Sequence, residues 1–210
     1  MKTILSPHLD DAVLSAYNVL KGGLVVTVFA GLHDINDWDR KCGITDKMTR
    51  RREDIKVLIS LGADYRHDNY QEGEEFSLKI EDGDIYVPMG IKHPDHVRVR
   101  EEFVRLFKQG KISGTVYFYE DFPYLVDKGE YNKALGALKK DFKLEKCVLR
   151  CSLKEKASAI AGYESQARAI FGDYKQIKKS LLVCNARMIG RLNYYFNPSP
   201  KISERYWKII

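Results

Sequence analysis

Residues 24–30, LVVTVFA, form an unbroken apolar and β-branched run. A strand with one wet face alternates. One that does not alternate is buried on both faces, as in a parallel sheet covered by helices on each side. The pair Gly22-Gly23 before it stops the segment 11–21, where Val13, Ala16, Tyr17 and Leu20 fall at helical spacing. The alternation repeats along the chain. Residues 2–5, 86–89, 115–119 and 146–150 read as strands, and residues 47–61, 95–108 and 153–169 as helices. In the first of these helices Ile55, Leu58 and Ile59 form the inner face and Gly62 is the stop. The pattern predicts a Rossmann-like α/β fold, a mostly parallel sheet flanked by helices. Beyond about residue 175 the periodicity weakens. The aromatic tail 193–210, with Pro198 and Pro200, is expected to wrap the surface and is a candidate contact between copies in a homo-oligomer.

The 210 residues contain no repeat and no Pro/Gly/Ser linker, so one domain spanning 1–210 is expected. No apolar stretch approaches the roughly 20 residues of a membrane span. The first strand runs straight into Ser6-Pro7-His8, unlike a secretory signal. A cytoplasmic protein without stable membrane insertion is the expectation. Cys42, Cys147, Cys151 and Cys184 form no CxxC pair and are expected to be free thiols, mostly buried. The net charge of +6 favours a phosphate-bearing substrate. Its only dense cluster, Arg50-Arg51-Arg52, runs at once into Glu53-Asp54. With no stacked-aromatic or helix-turn-helix motif, nucleic acid is not an expected partner.

Two segments hold three of the five histidines: Ser6-Pro7-His8-Leu9-Asp10-Asp11 and Gly90-Ile91-Lys92-His93-Pro94-Asp95-His96. A catalytic zinc site takes three ligands from His and carboxylate and keeps one position open. His8 and Asp11, separated by two residues across a strand-to-helix turn, can face one cavity, and His96 from a distant loop can supply the third ligand. Asp10 is then placed as a general base, and His93, as an imidazolium, could steady the oxyanion of amide hydrolysis. The spacing also admits a structural reading. Asp10 or Asp11 would cap the first helix, and His93-Pro94 would be a turn with Asp95 as cap of the third.

The first segment resembles the PHPDD signature of the LmbE-like, or PIG-L, zinc-dependent N-deacetylases, and His93-Pro94-Asp95-His96 resembles their HPDH motif. Further segments are similar in order. Arg50 to Asp54 with Leu61-Gly62-Ala63 looks like an R-x-x-E helix ending in LG. Tyr119 to Tyr124 looks like YEDLPY. Lys156, Ala159, Tyr163, Ser165 and Gln166 look like K-x-x-A followed by Y-x-S-Q, and Glu204 to Trp207 like an E-x-Y/F ending. The resemblance implies zinc held by His8, Asp11 and His96, with Asp10 as base. It implies His93 as electrophilic partner of the carbonyl, oriented by Asp95. Arg50 would reach sugar hydroxyls or a phosphate, and Asp68 would be a substrate-binding acid. Tyr163 and Gln166 read as structural. Leu9 and Ala12 depart from the usual Pro and Glu, and SPHLDDAVLS marks a subgroup.

The implied activity is removal of the acetyl group from an N-acetylglucosamine-type sugar in a glycoconjugate. Two other readings stay open: a zinc amidase or esterase acting on a non-sugar acyl compound, and a binding protein without activity.

Overall fold

A computed structural model describes residues 1–32, 35, 37–189 and 200–210. The elements in chain order are β1 (Lys2–Ser6), α1 (Asp11–Ser15), β2 (Leu24–Thr27), α2 (Asp37–Lys41), α3 (Thr49–Ser60), β3 (Asp64–His67), β4 (Gly83–Pro88), α4 (Pro94–Lys108), β5 (Gly114–Tyr119), α5 (Lys128–Asp141), β6 (Leu144–Ser152), α6 (Leu153–Ala161), α7 (Glu164–Phe171), α8 (Tyr174–Ile189) and β7 (Lys201–Ile209).

The strands form one sheet in the order β3-β2-β1-β4-β5-β7-β6. β1 to β5 are mutually parallel, and β7 alone runs against its neighbours β5 and β6. Helices cover both faces, and the strand period of two assigns each residue its side. Ile4 joins a cluster with Val13, Val57, Ala157, Tyr163 and Leu181 on one face. The next residue, Leu5, joins Val87, Val99, Phe103 and Leu138 on the other. Each such fully buried Leu, Val or Phe contributes roughly 1.5–3 kcal/mol by leaving water. This is the mostly parallel, helix-flanked sheet that residues 24–30 predict.

The chain runs from β1 outward through β2 and β3, then crosses back to β4 and β5 on the other side of β1. The loops leaving β1 and β4 therefore diverge, and a crevice opens between them at the carboxyl ends of the strands.

Several elements differ from the sequence reading. The helix expected over 11–21 stops at Ser15 and resumes only as a 3-10 turn, Tyr17–Val19. The Glu204 carboxylate takes the backbone N–H groups of Tyr17 and Asn18 at 3.0 and 2.9 Å, so a distant charge overrides the local periodicity. Leu58 is buried as expected of the inner face of α3, while Ile59 is exposed and Val57 is buried in its place. The long helix expected over 153–169 breaks into α6 and α7 at Gly162 and Tyr163. The weakly periodic region holds the 16-residue α8. The tail does not wrap the surface over its described part: β7 lies inside the sheet between β5 and β6, with Tyr206 buried. Residues 193–199 of that tail lie outside the described residues. None of the four cysteines forms a disulfide; Cys151 and Cys184 are buried and Cys42 and Cys147 half-buried. No helix among the described residues is long and apolar enough to cross a membrane.

Candidate metal centre

The crevice brings the two histidine segments together. The β1–α1 loop is tied by Ser6, whose hydroxyl donates to the His8 carbonyl at 2.7 Å and accepts from the Ala12 N–H at 3.0 Å. The β4–α4 loop turns at Gly90, with φ +74. A Cβ there would sit 3.1 Å from both the Val97 Cα and the Arg100 guanidinium, so glycine is the fitting residue. His93 is the N-cap of α4: its Nδ1 accepts the Asp95 N–H at 3.3 Å, followed by Pro94 in the first turn, which suits proline. Asp95, the cap of the structural reading, lies inside the helix.

Asp11 Oδ2 is the meeting point. It accepts the His8 backbone N–H at 2.8 Å and lies 3.2 Å from His8 Nδ1 and 3.1 Å from His96 Nε2. The ligand atoms of His8, His93 and His96 also lie within 4.8 Å of one another, as do those of His8, Glu72 and Asp95. Behind each ring stands a carboxylate. His96 Nδ1 lies 2.7 Å from Asp121 Oδ1, and His8 Nε2 lies 3.1 Å from Asp95 Oδ2. Carboxylate–imidazole pairs of this kind orient metal-binding histidines and fix their tautomers. With Nδ1 facing Asp121, His96 turns Nε2 toward Asp11 Oδ2. That atom is buried, and its contact with Asp11 is an ion pair without hydrogen-bond geometry. Imidazole nitrogens and a carboxylate oxygen are the donors zinc prefers, so the residues fit such an ion.

The electrostatics agree. Burial alone would lower both imidazoles, but the Asp11 and Asp95 hydrogen bonds raise His8 to about 9. The charges of Asp11 and Asp121 raise His96 to about 10. Burial would push Asp11 up, yet His96 and His8 hold it well below the usual range. The metal-free pocket thus keeps positive charge between its carboxylates, where a divalent cation would take the protons' place.

Asp10 differs from its neighbour. Burial, then the adjacent Asp11 charge, push its carboxyl well above the usual carboxylate range. Its backbone sits at φ 137, ψ −28, a conformation strained for a residue with a Cβ. Burial, then the neighbouring His8 and His96, lower His93. Its Nδ1 accepts from Asp95, so it is an uncharged Nε2–H donor at neutral pH, in contrast to the imidazolium the sequence suggests.

A cavity of about 540 Å³ opens over these groups, with His8, Asp10, Asp11, Arg50, His93 and Gln166 among its lining residues. Glu72, Tyr124, Trp38 and Lys41 also line it. Arg50 donates to Gln166 Oε1 at 2.8 Å, and its buried Nε has no partner among the described residues. Asp95 meets His93 through its backbone, while its carboxylate goes to His8 and, at 3.0 Å, to Arg98. Asp68 is not among the lining residues; its carboxylate is taken by Arg66 at 3.0 Å. Ala12 packs in the apolar cluster beneath the loop.

Sequence reasoning gave no role to Asp121, Glu72 or Tyr124. Asp121 offered two faint signals, its place in the YEDLPY-like segment and its position just past the end of β5. No spacing links it to His96, because their pairing across 25 residues exists only once β4 and β5 are side by side.

No protein-family model and no curated protein matches the sequence. Among solved structures, the chain is similar to the zinc-inhibited form of teicoplanin deacetylase Orf2, with TM-score 0.70, 20% identity and coverage of 100% of this chain and 97% of that one. It is similar to GalB, the 4-carboxy-2-hydroxymuconate hydratase from Pseudomonas putida KT2440, with TM-score 0.60, 14% identity and 100% and 97% coverage. It is also similar to the N,N'-diacetylchitobiose deacetylase from Pyrococcus horikoshii, with TM-score 0.56, 16% identity and 99% and 83% coverage. The fold is that of the LmbE-like deacetylases. At these identities the likeness speaks for the fold, and a hydratase shares it.

Proposed function

We propose that this chain is a zinc-dependent hydrolase that removes the acetyl group from an N-acetylglucosamine-type amino sugar. The observation that carries the reading is the convergence of His8 Nδ1 and His96 Nε2 on Asp11 Oδ2, at 3.2 and 3.1 Å, while Asp121 holds the other ring nitrogen of His96. His8, Asp11 and His96 would hold the ion. When bound, zinc supplies Lewis-acid polarisation of an amide carbonyl and acidifies water in its open position. Two of the solved structures with this fold, Orf2 and the diacetylchitobiose enzyme, are deacetylases, which supports the same reaction class here.

The chain's own groups then divide the work. Asp10, buried beside the cavity, takes a proton from the attacking water and passes it to the departing sugar amine. His93 Nε2–H donates to the carbonyl oxygen as negative charge gathers on it. Arg50, which lines the cavity and gives one N–H to Gln166, binds a sugar hydroxyl or an attached phosphate.

Acetate release from N-acetylglucosamine glycosides tests the reading, using zinc-loaded protein beside Asp10→Asn and His96→Ala variants. Activity lost in both, with zinc kept in the first and lost in the second, is expected. Release that survives Asp10→Asn unchanged overturns it. The apolar part of the cavity wall, Leu14, Pro123 and Ile170, favours a second reading, an amide or ester of a non-sugar acyl compound. Competition by free N-acetylglucosamine separates the two.

A further inference from the structure

Two segments far apart in sequence, 50–54 and 162–166, form one clamp. Arg50 donates to Gln166 Oε1 at 2.8 Å. Glu53 takes the Ser165 N–H at 2.9 Å and its hydroxyl at 2.6 Å. Asp54 takes the Tyr163 hydroxyl at 2.7 Å and lies 2.7 Å from His67 Nε2. Gly162 completes the contact: a Cβ there would come within 2.6 Å of Val57 Cγ2, so α3 and the start of α7 approach this closely only because the residue is glycine. Three pairs of hydrogen-bonding side chains and one missing methyl thus fix where α7 begins.

What this clamp delivers to the site is one amide. Gln166 is 2% exposed, and both ends of its side chain are used. Its Oε1 receives Arg50, and its Nε2 donates at 2.8 Å to the carbonyl of Leu9, the residue before Asp10. The Leu9–Asp10 peptide leads into the strained φ of 137, a conformation that persists only where the surroundings hold it. Gln166 is one such hold, and through Oε1 it also sets the direction of the arginine.

We propose that Gln166 is a positioning residue that couples the substrate-binding arginine to the catalytic carboxylate, a role resting on the deacetylase reading above. Its two ends act on different kinetic constants. The Nε2 end holds the backbone that carries Asp10 and acts on kcat. The Oε1 end holds Arg50 and acts on KM.

Two variants divide these ends. Gln166→Glu keeps an acceptor for Arg50 and loses the donor to Leu9. A misplaced base then lowers kcat on the order of 10- to 100-fold, with KM changed by less than about threefold because ground-state binding is kept. Gln166→Met loses both ends, so KM also rises by about tenfold or more, as for a lost hydrogen bond to a charged group. Kinetics matching wild type in both variants overturns the proposal. So does an equal loss of kcat in both that merely follows their melting temperatures. Hydrogen exchange over residues 6–11 needs no turnover. Faster exchange in Gln166→Met, with residues 174–186 unchanged, supports the coupling, and equal exchange overturns it. A wild-type protein that binds zinc and releases no acetate instead sinks the deacetylase reading, and the exchange result then decides the coupling by itself.

Discussion

Asp121 divides its carboxylate between His96 and the loop that leads into the helix carrying His96. One oxygen lies 2.7 Å from His96 Nδ1, and the other accepts the Ile91 backbone N–H at 2.9 Å. The residue is fully buried, so neither contact competes with water. Asp121→Asn keeps the shape and removes the charge that stabilises the ring as a ligand. Zinc affinity is expected to fall on the order of 10- to 100-fold, as for other partners behind metal-bound histidines. Competition against a chelator of known affinity measures it. Unchanged affinity would leave Asp121 with the loop alone.

Asp10 is separable from metal binding. Asp10→Asn keeps the size of the side chain and leaves His8, Asp11 and His96 in place. The expected outcome is a fall in kcat on the order of 10² to 10⁴, the usual contribution of a positioned base. Zinc per chain, read by plasma mass spectrometry, should stay at the wild-type value. A joint loss of zinc and activity would mean that Asp10 is a ligand.

The same residue is a site of stored strain. Its φ of 137 is open to glycine without penalty, and its carboxylate is buried beside that of Asp11. Asp10→Gly should therefore stabilise the metal-free protein by about 1–3 kcal/mol, the range for such backbone strain, while abolishing turnover. Chemical denaturation checks the first part. Lower stability than wild type would mean that the native side-chain contacts outweigh the strain.

The buried ion pair between Lys156 and Glu204, 2.5 Å apart, joins α6 to β7. Glu204 also accepts the N–H groups of Tyr17 and Asn18 and the Tyr206 hydroxyl. Removing one partner leaves a buried charge without its counter-ion, so Lys156→Met or Glu204→Gln should each cost about 3–5 kcal/mol. The double variant should cost clearly less than the sum, because no lone charge remains. Strict additivity in denaturant unfolding would show that the two groups do not depend on each other.

The sequence by itself determined the parallel sheet, through the unalternating run 24–30. It also determined which two loops carry the histidines. Both are local matters: a strand buried on both faces must be apolar throughout, and within each segment the candidate ligands sit within a few positions of one another. The glycine at 22–23 and the proline at 94 likewise act on their own backbone. The sequence did not determine the length of the first helix, the break at Gly162 or the place of the tail. There Glu204 reaches Tyr17 and Asn18 across 187 and 186 positions, Tyr163 turns to Asp54, and β7 inserts between β5 and β6. The partners of the site residues were hidden for the same reason. Asp121 behind His96, Asp95 behind His8 and Gln166 between Leu9 and Arg50 come from segments that meet only when the sheet and its helices have packed. Hydrogen bonding needs approach to about 3 Å, and for groups a hundred residues apart only the tertiary fold supplies it.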